Sequence, residues 1–323
     1  MTPNSLLSIA IPTYNRCEIL KQNLVAILPQ LIKHHVTLYI SDDSSDECTR
    51  IMAGELRTEH PLIVYRKNEP RLGHDANFFA TLAMPDTDYV WYLGDSGYFA
   101  PGTLDEVLAA LAKFHPNFCF LNTSLSGGGT RLIEGDALHP FLLDRTWYLT
   151  LSGATIYGRA SRESQALQVS EARLAGWKNF PQLGVLLEAC AQSPQRLLWL
   201  DSPMLKANQR KSSYWLKSAF NVFVKDWSNL IRSFPVLFSE MEQDRILRSH
   251  SVNTQLFGPT SLLQLRAIGA LTVEELERHH RDFAVVSPIS PMWARLLARL
   301  PQRLIALIWW VARSMRNFVR GKV

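Results

Sequence analysis

Short apolar runs alternate with amphipathic stretches between residues 6 and 122. The runs are bounded by polar or turn-forming residues and predict strands at 6–11, 36–40, 62–65, 89–93 and 118–122. Apolar residues at helical spacing lie between these runs, as in Ile19, Leu20, Leu24, Ile27, Leu28 and Leu31. Strands that alternate with helices in this way indicate βαβ units and a mostly parallel sheet flanked by helices. Ligands of such sheets bind where strands end and loops begin.

The pattern is looser in the rest of the chain. Residues 149–157 and 196–200 predict two more strands, and residues 181–191 predict a helix. From about residue 214 onward the spacing is helical. We therefore expect three parts: an α/β domain over 1–210, a helical extension over 211–288, and a basic amphipathic helix over 289–323.

Composition and cysteines narrow the class of protein. The 323 residues are 47% hydrophobic and 20% charged, as in an ordinary folded globule. The four cysteines, Cys17, Cys48, Cys119 and Cys190, form no CxxC pair. We expect neither a zinc site nor a disulfide framework, and hence a reducing compartment. The first residues lack the basic and apolar pattern of a signal peptide. The apolar stretch 304–312 is shorter than the ~20 residues of a spanning helix.

The C-terminal segment 291–323 carries much of the positive charge. It holds six arginines and one lysine without an acidic residue, in a chain of net charge +5. At roughly 100° per residue the arginines share one arc of a helix, if its phase continues across Pro301. These are Arg295, Arg299, Arg303, Arg313, Arg316 and Arg320. The opposite arc is apolar: Trp293, Leu297, Leu300, Leu304, Leu307, Ile308, Val311, Met315 and Phe318.

Such a helix is typical of contact with an anionic membrane surface. Two alternatives are a helix packed on the domain with its arginines outward, and binding of nucleic acid, which salt would weaken. We expect membrane contact and no nucleic acid. The predicted location is the cytoplasmic, inner face of the cell membrane, as a peripheral protein.

Four motifs lie at the predicted strand ends. They are IAIPTYNR at 9–16, ISDDSSD at 40–46, NEPRLGHDAN at 68–77 and YLGDSG at 92–97. In this order they resemble the family-2 glycosyltransferases, particularly bacterial enzymes that add sugars to surface polysaccharide intermediates. The resemblance covers residues 6–115 well and continues loosely to about 205. It implies a GT-A-type fold and a nucleoside-diphosphate-sugar donor.

The resemblance also implies which residues contact the nucleotide. Asp42 and Asp43 would accept hydrogen bonds from a base N–H or a ribose hydroxyl; the alternative is a solvated turn in which Asp46 caps a helix. Arg71 would offer donors to the diphosphate. The remaining positions are a facing loop, a polar residue and the turn after the fourth strand: Pro12, Thr13, Tyr14, Asp75 and Gly94.

Asp95 occupies the place of the family's DXD-type metal motif. The resemblance implies Mg²⁺ or Mn²⁺ there, acting as a Lewis acid on the leaving diphosphate. The motif reads Asp95-Ser96-Gly97, so one carboxylate remains. Three interpretations are open. Asp95 holds the metal together with phosphates and waters, or a cation such as Arg71 replaces the metal, or the domain binds without turnover.

An inverting transferase also needs a general base for the acceptor hydroxyl. Family members place an acidic residue at the start of a helix after the returning strand, yet residues 176–183 contain none. Glu188, two turns into that helix, is our candidate; the alternative is a helix-surface glutamate. The predicted function is transfer of a sugar, with inversion, to a lipid-linked or polysaccharide acceptor in cell-surface glycan synthesis. The alternative function is binding of nucleotide sugar or glycan without turnover.

Overall fold

The structure of the protein is a computed structural model that describes residues 2–123, 125, 129–163, 171–201, 205–207 and 215–320. It divides into two compact units. The first contains residues 1–145 and 149–211, and the second contains residues 146–148 and 212–323.

The first unit alternates strands and helices, as the sequence predicts. Its strands are β1 (Leu7–Thr13), β2 (Thr37–Asp42), β3 (Ile63–Lys67), β4 (Tyr89–Tyr92), β5 (Gly97–Phe99), β6 (Phe118–Leu121), β7 (Arg131–Ile133), β8 (Thr155–Gly158), β9 (Leu197–Leu200) and β10 (Leu205–Ala207). Its helices are α1 (Cys17–His34), α2 (Cys48–Leu56), α3 (His74–Leu82), α4 (Thr103–Phe114), α5 (Leu138–Arg145), α6 (Arg159–Glu163), α7 (Glu171–Gly176) and α8 (Pro181–Gln192).

Eight strands form one sheet in the order β3-β2-β1-β4-β8-β6-β9-β7. The first four are parallel, β8 runs antiparallel to both of its neighbours, and β7 is an antiparallel edge strand. The predicted GT-A-type arrangement, a mostly parallel sheet flanked by helices, is confirmed. From β1 the chain builds outward to β2 and β3 and then returns to the other side of β1 as β4. This reversal opens a crevice at the carboxyl ends of β1 and β4, the usual ligand position in such sheets.

The two faces of the sheet bury different sets of side chains. Leu7, Ile9 and Ile11 of β1 belong to a core cluster with residues of α1, α2 and α4. On the opposite face, the Phe78 ring of α3 lies 4.8 Å from that of Tyr92 and 6.1 Å from that of Tyr157, centroid to centroid. Alternation along each strand explains the division, because successive side chains point to opposite faces. The strands are thus anchored from both sides and hold their terminal loops in fixed places.

The cysteines depart from the expectation. Cys17 and Cys48 form a disulfide that joins the first residue of α1 to the first residue of α2. Cys119 and Cys190 are free thiols. The two cysteines are 31 residues apart in the sequence, and this spacing alone does not predict the bridge. The pairing depends on β1 and β2 being neighbours, so that the helices after them begin side by side.

The second unit is helical. Its helices are α9 (Trp227–Arg232), α10 (Glu240–Thr254), α11 (Pro259–Ala267), α12 (Val273–Arg278), α13 (His280–Val286), α14 (Pro291–Arg299) and α15 (Gln302–Arg320). A π-helical turn at Asn221–Asp226 leads into α9. Burial lowers the pKa of His250 to about 4, where its ring stacks on Phe223 at 4.8 Å. No helix within the described ranges is both long and apolar enough to cross a membrane.

The C-terminal segment is two helices, which corrects the single helix expected over 289–323. Leu300 is extended, with φ −65° and ψ 148°, because the following Pro301 disfavours the helical conformation of its predecessor. The Arg266 guanidinium donates to the Leu300 carbonyl oxygen across 2.6 Å and fixes the break. The phase assumed across Pro301 is therefore wrong. The side chains of Arg313, Met315, Arg316, Phe318 and Arg320 lie outside the described residues.

Gly184 offers a stability test of the packing on α8. A Cβ atom at this position would lie 2.3 Å from the Trp177 ring, which is buried. We expect Gly184→Ala to lower the free energy of unfolding by about 1–3 kcal/mol, because the indole must shift. Urea denaturation measures the change. The control is Gly54→Ala in α2, whose Cβ meets nothing within 4 Å and which should gain up to about 1 kcal/mol. Equal effects of the two variants would contradict this packing.

Candidate active site

The loop after β2 is organised by two buried carboxylates. Asp42 is fully buried; its Oδ1 accepts from the Ser44 amide at 2.9 Å and its Oδ2 from the Tyr65 hydroxyl at 2.8 Å. The Lys67 ammonium lies 3.8 Å from the same Oδ2. Burial, and then the hydrogen bond to Asp42, raise the pKa of Tyr65 far above its usual value, so the phenol stays a donor. Asp42 therefore fixes the end of β2 from within.

Asp43 holds a different loop. Its Oδ1 accepts from the Leu72 amide at 2.8 Å and its Oδ2 from the Gly73 amide at 2.9 Å. Its own amide donates to the Thr13 carbonyl oxygen at 3.0 Å. Asp43 thus connects the loops that follow β1, β2 and β3. Asp42 and Asp43 are at most 2% exposed. Their role in positioning the loops is visible in the structure, whereas contact with a nucleotide stays a prediction.

A buried amide network supports this junction and was not predicted. The Asn68 Nδ2 donates to the Ser41 hydroxyl at 3.2 Å and to the Asn77 Oδ1 at 3.1 Å. Asn77 also accepts from the Ser41 hydroxyl at 2.7 Å. The two asparagines begin and end the motif NEPRLGHDAN. The family resemblance includes both residues, but nothing in their spacing indicates that they meet.

The exposed part of the junction is a tyrosine with a guanidinium over it. The Arg71 Cζ lies 4.2 Å from the centroid of the Tyr14 ring, and its Nε lies 4.0 Å from the Asp43 Oδ2. Tyr14 is 46% exposed and Arg71 is about half exposed. Pro12 is half-buried and Thr13 is buried in β1. Of the residues predicted in these loops, Tyr14 and Arg71 are therefore the ones open to a ligand.

Asp95, at the turn after β4, is paired with a residue that the sequence did not single out. Its Oδ1 lies 3.1 Å from the Arg16 Nη1, and its backbone oxygen accepts from the Asn23 Nδ2 at 2.8 Å. Arg16 ends the loop after β1, so the pair spans the crevice between β1 and β4. Gly94 lies beside Gly153, where a Cβ would meet the Gly94 nitrogen at 3.3 Å. This close backbone approach explains glycine at position 153, whereas a Cβ atom at Gly94 itself would meet nothing within 4 Å.

The two other predicted carboxylates lie in different surroundings. Glu188 is 8% exposed and accepts from Arg173 and from the Gln192 Nε2. Asp75 is about one-third exposed, contacts the His74 ring at 2.7 Å and accepts from the Asn179 amide at 3.1 Å. Asn179 has a left-handed φ of 65° just before α8. The loop before α8, where the family resemblance places the general base, therefore contacts the carboxylate of Asp75 from α3.

Similarity to known proteins agrees with this geometry. The profile described as Glycosyl transferase family 2 matches residues 8–163. Residues 8–163 belong to the family-2 glycosyltransferases. The abequosyltransferase RfbV of Salmonella typhimurium is 36% identical over 101 residues, and the uncharacterised protein MT1568 of Mycobacterium tuberculosis is 32% identical over 99. Each match covers 31% of this chain and 30% of the relative.

Solved structures resemble the fold of the chain over nearly its full length. TarS of S. aureus, in complex with UDP-GlcNAc, superposes with a TM-score of 0.56 at 16% identity, covering 95% of this chain and 92% of TarS. The mannosyltransferase PcManGT of Pyrobaculum calidifontis, in complex with GDP-Man and Mn²⁺, superposes with a TM-score of 0.51 at 15% identity. That match covers 95% of this chain and 87% of PcManGT.

The residues of this glycosyltransferase do not fit a divalent cation held at Asp95. Within the described ranges, one group of three metal-capable side chains lies in mutual reach, Cys17, Glu18 and Cys48, and its two thiols are joined as a disulfide. Asp95 belongs to no such group. Its Oδ1 also contacts the Arg16 guanidinium, a positive charge that a cation would have to displace. Mg²⁺ is usually held by one or two carboxylates together with substrate phosphates and waters, and the one carboxylate at this turn already has a guanidinium partner.

Asp43 provides a test of the loop junction. We expect Asp43→Ala to lower the free energy of unfolding by about 2 kcal/mol, because it removes the buried carboxylate that accepts from the partly buried amides of Leu72 and Gly73. Urea denaturation with a far-ultraviolet dichroism readout measures this. The control Asp46→Ala removes an exposed carboxylate that accepts from the Cys48 amide, and should cost less than about 1 kcal/mol. Similar losses for both would rule out the role assigned to Asp43.

Proposed function

We propose that the chain transfers a sugar from a nucleoside diphosphate sugar to a lipid-linked or polysaccharide acceptor, with inversion at the anomeric carbon. The observation that carries the proposal is two pairs of side chains in the loops at the carboxyl ends of β1, β3 and β4: Tyr14 with Arg71, and Arg16 with Asp95. The names of the abequosyltransferase and of the TarS complex with UDP-GlcNAc support a sugar nucleotide as donor. A role in cell-surface glycan synthesis follows as part of the same proposal.

The nucleotide end of the donor is assigned to the Tyr14–Arg71 platform. An exposed aromatic face offers a stacking surface for a base, and a guanidinium offers a planar fork of donors to phosphate. Asp43 lies beneath the platform and fixes the loop from which Arg71 projects. Rigid support of this kind lowers the entropy cost of ordering the loop when the donor binds.

The acceptor end needs a base, and the contacts favour Asp75 over Glu188. The Glu188 carboxylate is committed to Arg173 and is nearly buried, which argues against a role in proton transfer. Asp75 is accessible and reaches the loop before α8, where the family resemblance expects the base. We therefore assign the acceptor proton to Asp75. Glu188 keeps a structural role between α7 and α8.

Transfer assays with paired variants test this assignment. The substrates are UDP-, GDP-, CDP- and dTDP-sugars, with lipid-linked saccharides extracted from the source cells as acceptor. Asp75→Asn should lower kcat by about 100-fold or more with little change in the donor KM, as removal of a general base does. Glu188→Gln should keep kcat within about threefold, because the amide oxygen can still accept from Arg173.

Two outcomes would contradict the proposal. Full activity of Asp75→Asn would remove the base assignment while leaving sugar transfer intact. Nucleotide binding without turnover of any donor would instead favour the second candidate function, a domain that binds nucleotide sugar or glycan without catalysis. The reduced motif Asp95-Ser96-Gly97 is the observation in favour of that second function.

We further propose that the second unit binds an anionic membrane surface through α14 and α15. Large apolar side chains of both helices, and Leu300 between them, are 39–65% exposed: Met292, Trp293, Leu296, Leu300, Leu304, Leu307, Ile308, Trp310 and Val311. Two alanines and one isoleucine of these helices are buried instead: Ala294, Ala298 and Ile305. Arg295 pairs with Glu277, whereas Arg299 and Arg303 are exposed. Exposed indoles beside arginines are typical of helices at a lipid headgroup layer.

Vesicle flotation tests this surface without removing the helices. We expect Trp293→Glu combined with Ile308→Glu to reduce binding to phosphatidylglycerol-containing vesicles by about tenfold or more, since both side chains lose apolar burial and add negative charge. The control Met241→Glu alters an apolar residue of α10 that is 82% exposed and should leave binding unchanged. Equal flotation of the double variant and the wild type would refute membrane docking by this surface.

A further inference from the structure

The crevice between β1 and β4 contains an arginine–aspartate ion pair. Arg16 comes from the loop after β1, Asp95 comes from the turn after β4, and their side chains meet at 3.1 Å. Both side chains are mostly buried, at 23% and 12% exposure. A partly buried ion pair keeps its geometry better than a surface pair, because the surrounding protein restricts both side chains and limits their exchange with water.

This crevice is the point of the sheet where the strand order reverses on either side of β1. Doubly wound sheets bind the phosphates of their ligands at such a point. The Asp95 turn also continues directly into β5, which pairs with β10 antiparallel and so holds the turn from a second side. A cation located here lies where the diphosphate of a donor would need one.

We propose that Arg16, oriented by Asp95, is the cation that binds the donor diphosphate, in place of a divalent metal. The inference rests on the proposed function, because it needs a nucleoside diphosphate as ligand. It follows from the pairing of Asp95, the one carboxylate of the motif Asp95-Ser96-Gly97, with an arginine whose charge a divalent ion would have to displace. A guanidinium is always charged in proteins and presents its N–H donors in a fork that matches phosphate oxygens.

The role of Arg16 in the reaction is electrostatic. The bond between the anomeric carbon and the β-phosphate oxygen breaks, and its electron pair stays on the departing nucleoside diphosphate. The acceptor oxygen forms the new bond to the anomeric carbon and gives its proton to the base. Negative charge therefore grows on the diphosphate, and a preorganised donor aimed at that charge stabilises the transition state more than the ground state. Asp95 then acts as a positioning residue for Arg16.

Isothermal titration calorimetry of nucleoside diphosphates tests the proposal independently of turnover. The probes are UDP, GDP, CDP and dTDP, each titrated in EDTA and again in Mn²⁺. We expect at least one to bind the wild type with Kd values that agree within about twofold in the two buffers. Arg16→Ala should weaken this binding by about tenfold or more in EDTA, since charge-assisted hydrogen bonds to phosphate are lost. The Kd of Arg16→Lys should lie between those of the wild type and Arg16→Ala.

Asp95→Asn separates the two roles of the carboxylate. If Asp95 were a metal ligand, Asp95→Asn would weaken Mn²⁺-supported binding by about tenfold or more. If Asp95 orients Arg16, the same variant should weaken binding by about two- to threefold only. The diphosphate then loses an orienting contact of Arg16 and also a repelling charge. The matched control is Arg159→Ala, which removes another arginine–aspartate pair, with Asp86, near the opposite end of β4. It should leave every Kd unchanged, and thermal melts monitor the folding of each variant.

Binding that requires Mn²⁺, or that survives Arg16→Ala, would overturn the role of Arg16 and leave the proposed sugar transfer standing. Absence of binding by any of the four nucleoside diphosphates in both buffers would overturn the donor class itself, and with it the role of Arg16.

Discussion

The hydrogen bonds of the Asp43 carboxylate are the constraint on which the site depends. Three loops follow β1, β2 and β3. Asp43 lies in the second of them, and its buried carboxylate and its own amide contact the other two. A buried carboxylate is costly unless backbone amides satisfy it, so the loops and the acid stabilise one another. Tyr14 and Arg71 take their places from this junction, because each belongs to one of the loops that Asp43 connects.

The order of the strands explains why two distinct groups of side chains meet. The junction at Asp43 lies on the side of β1 that faces β2, and the Arg16–Asp95 pair lies on the side that faces β4. One strand therefore separates an aromatic platform from a buried charge pair. A donor extended across the end of β1 would contact both groups, with its base at Tyr14 and its phosphates shared by Arg71 and Arg16.

Sequence reasoning recovered most of the fold and part of the site. The strands β1, β2 and β4 follow from apolar runs alone, since burial on both faces leaves little choice of residue. The disulfide, the Arg16–Asp95 pair and the contact of Asp75 with Asn179 were missed. Each joins residues that are 31 or more positions apart, and their proximity is a product of strand order rather than of spacing. The break at Leu300 was visible in principle, because proline restricts the residue before it.

Burial divides the residues of the family motifs into two classes with different freedom to change. Asp42 and Asp43 are enclosed and satisfied by the protein, so a substitution there alters the framework before it alters any ligand contact. Tyr14 and Arg71 are exposed and touch each other over a loop that others hold. Replacement of this outer pair changes the chemistry presented to a ligand at little cost to folding. Descendants of one scaffold can therefore diverge in the donor they select while the acidic motif beneath stays the same.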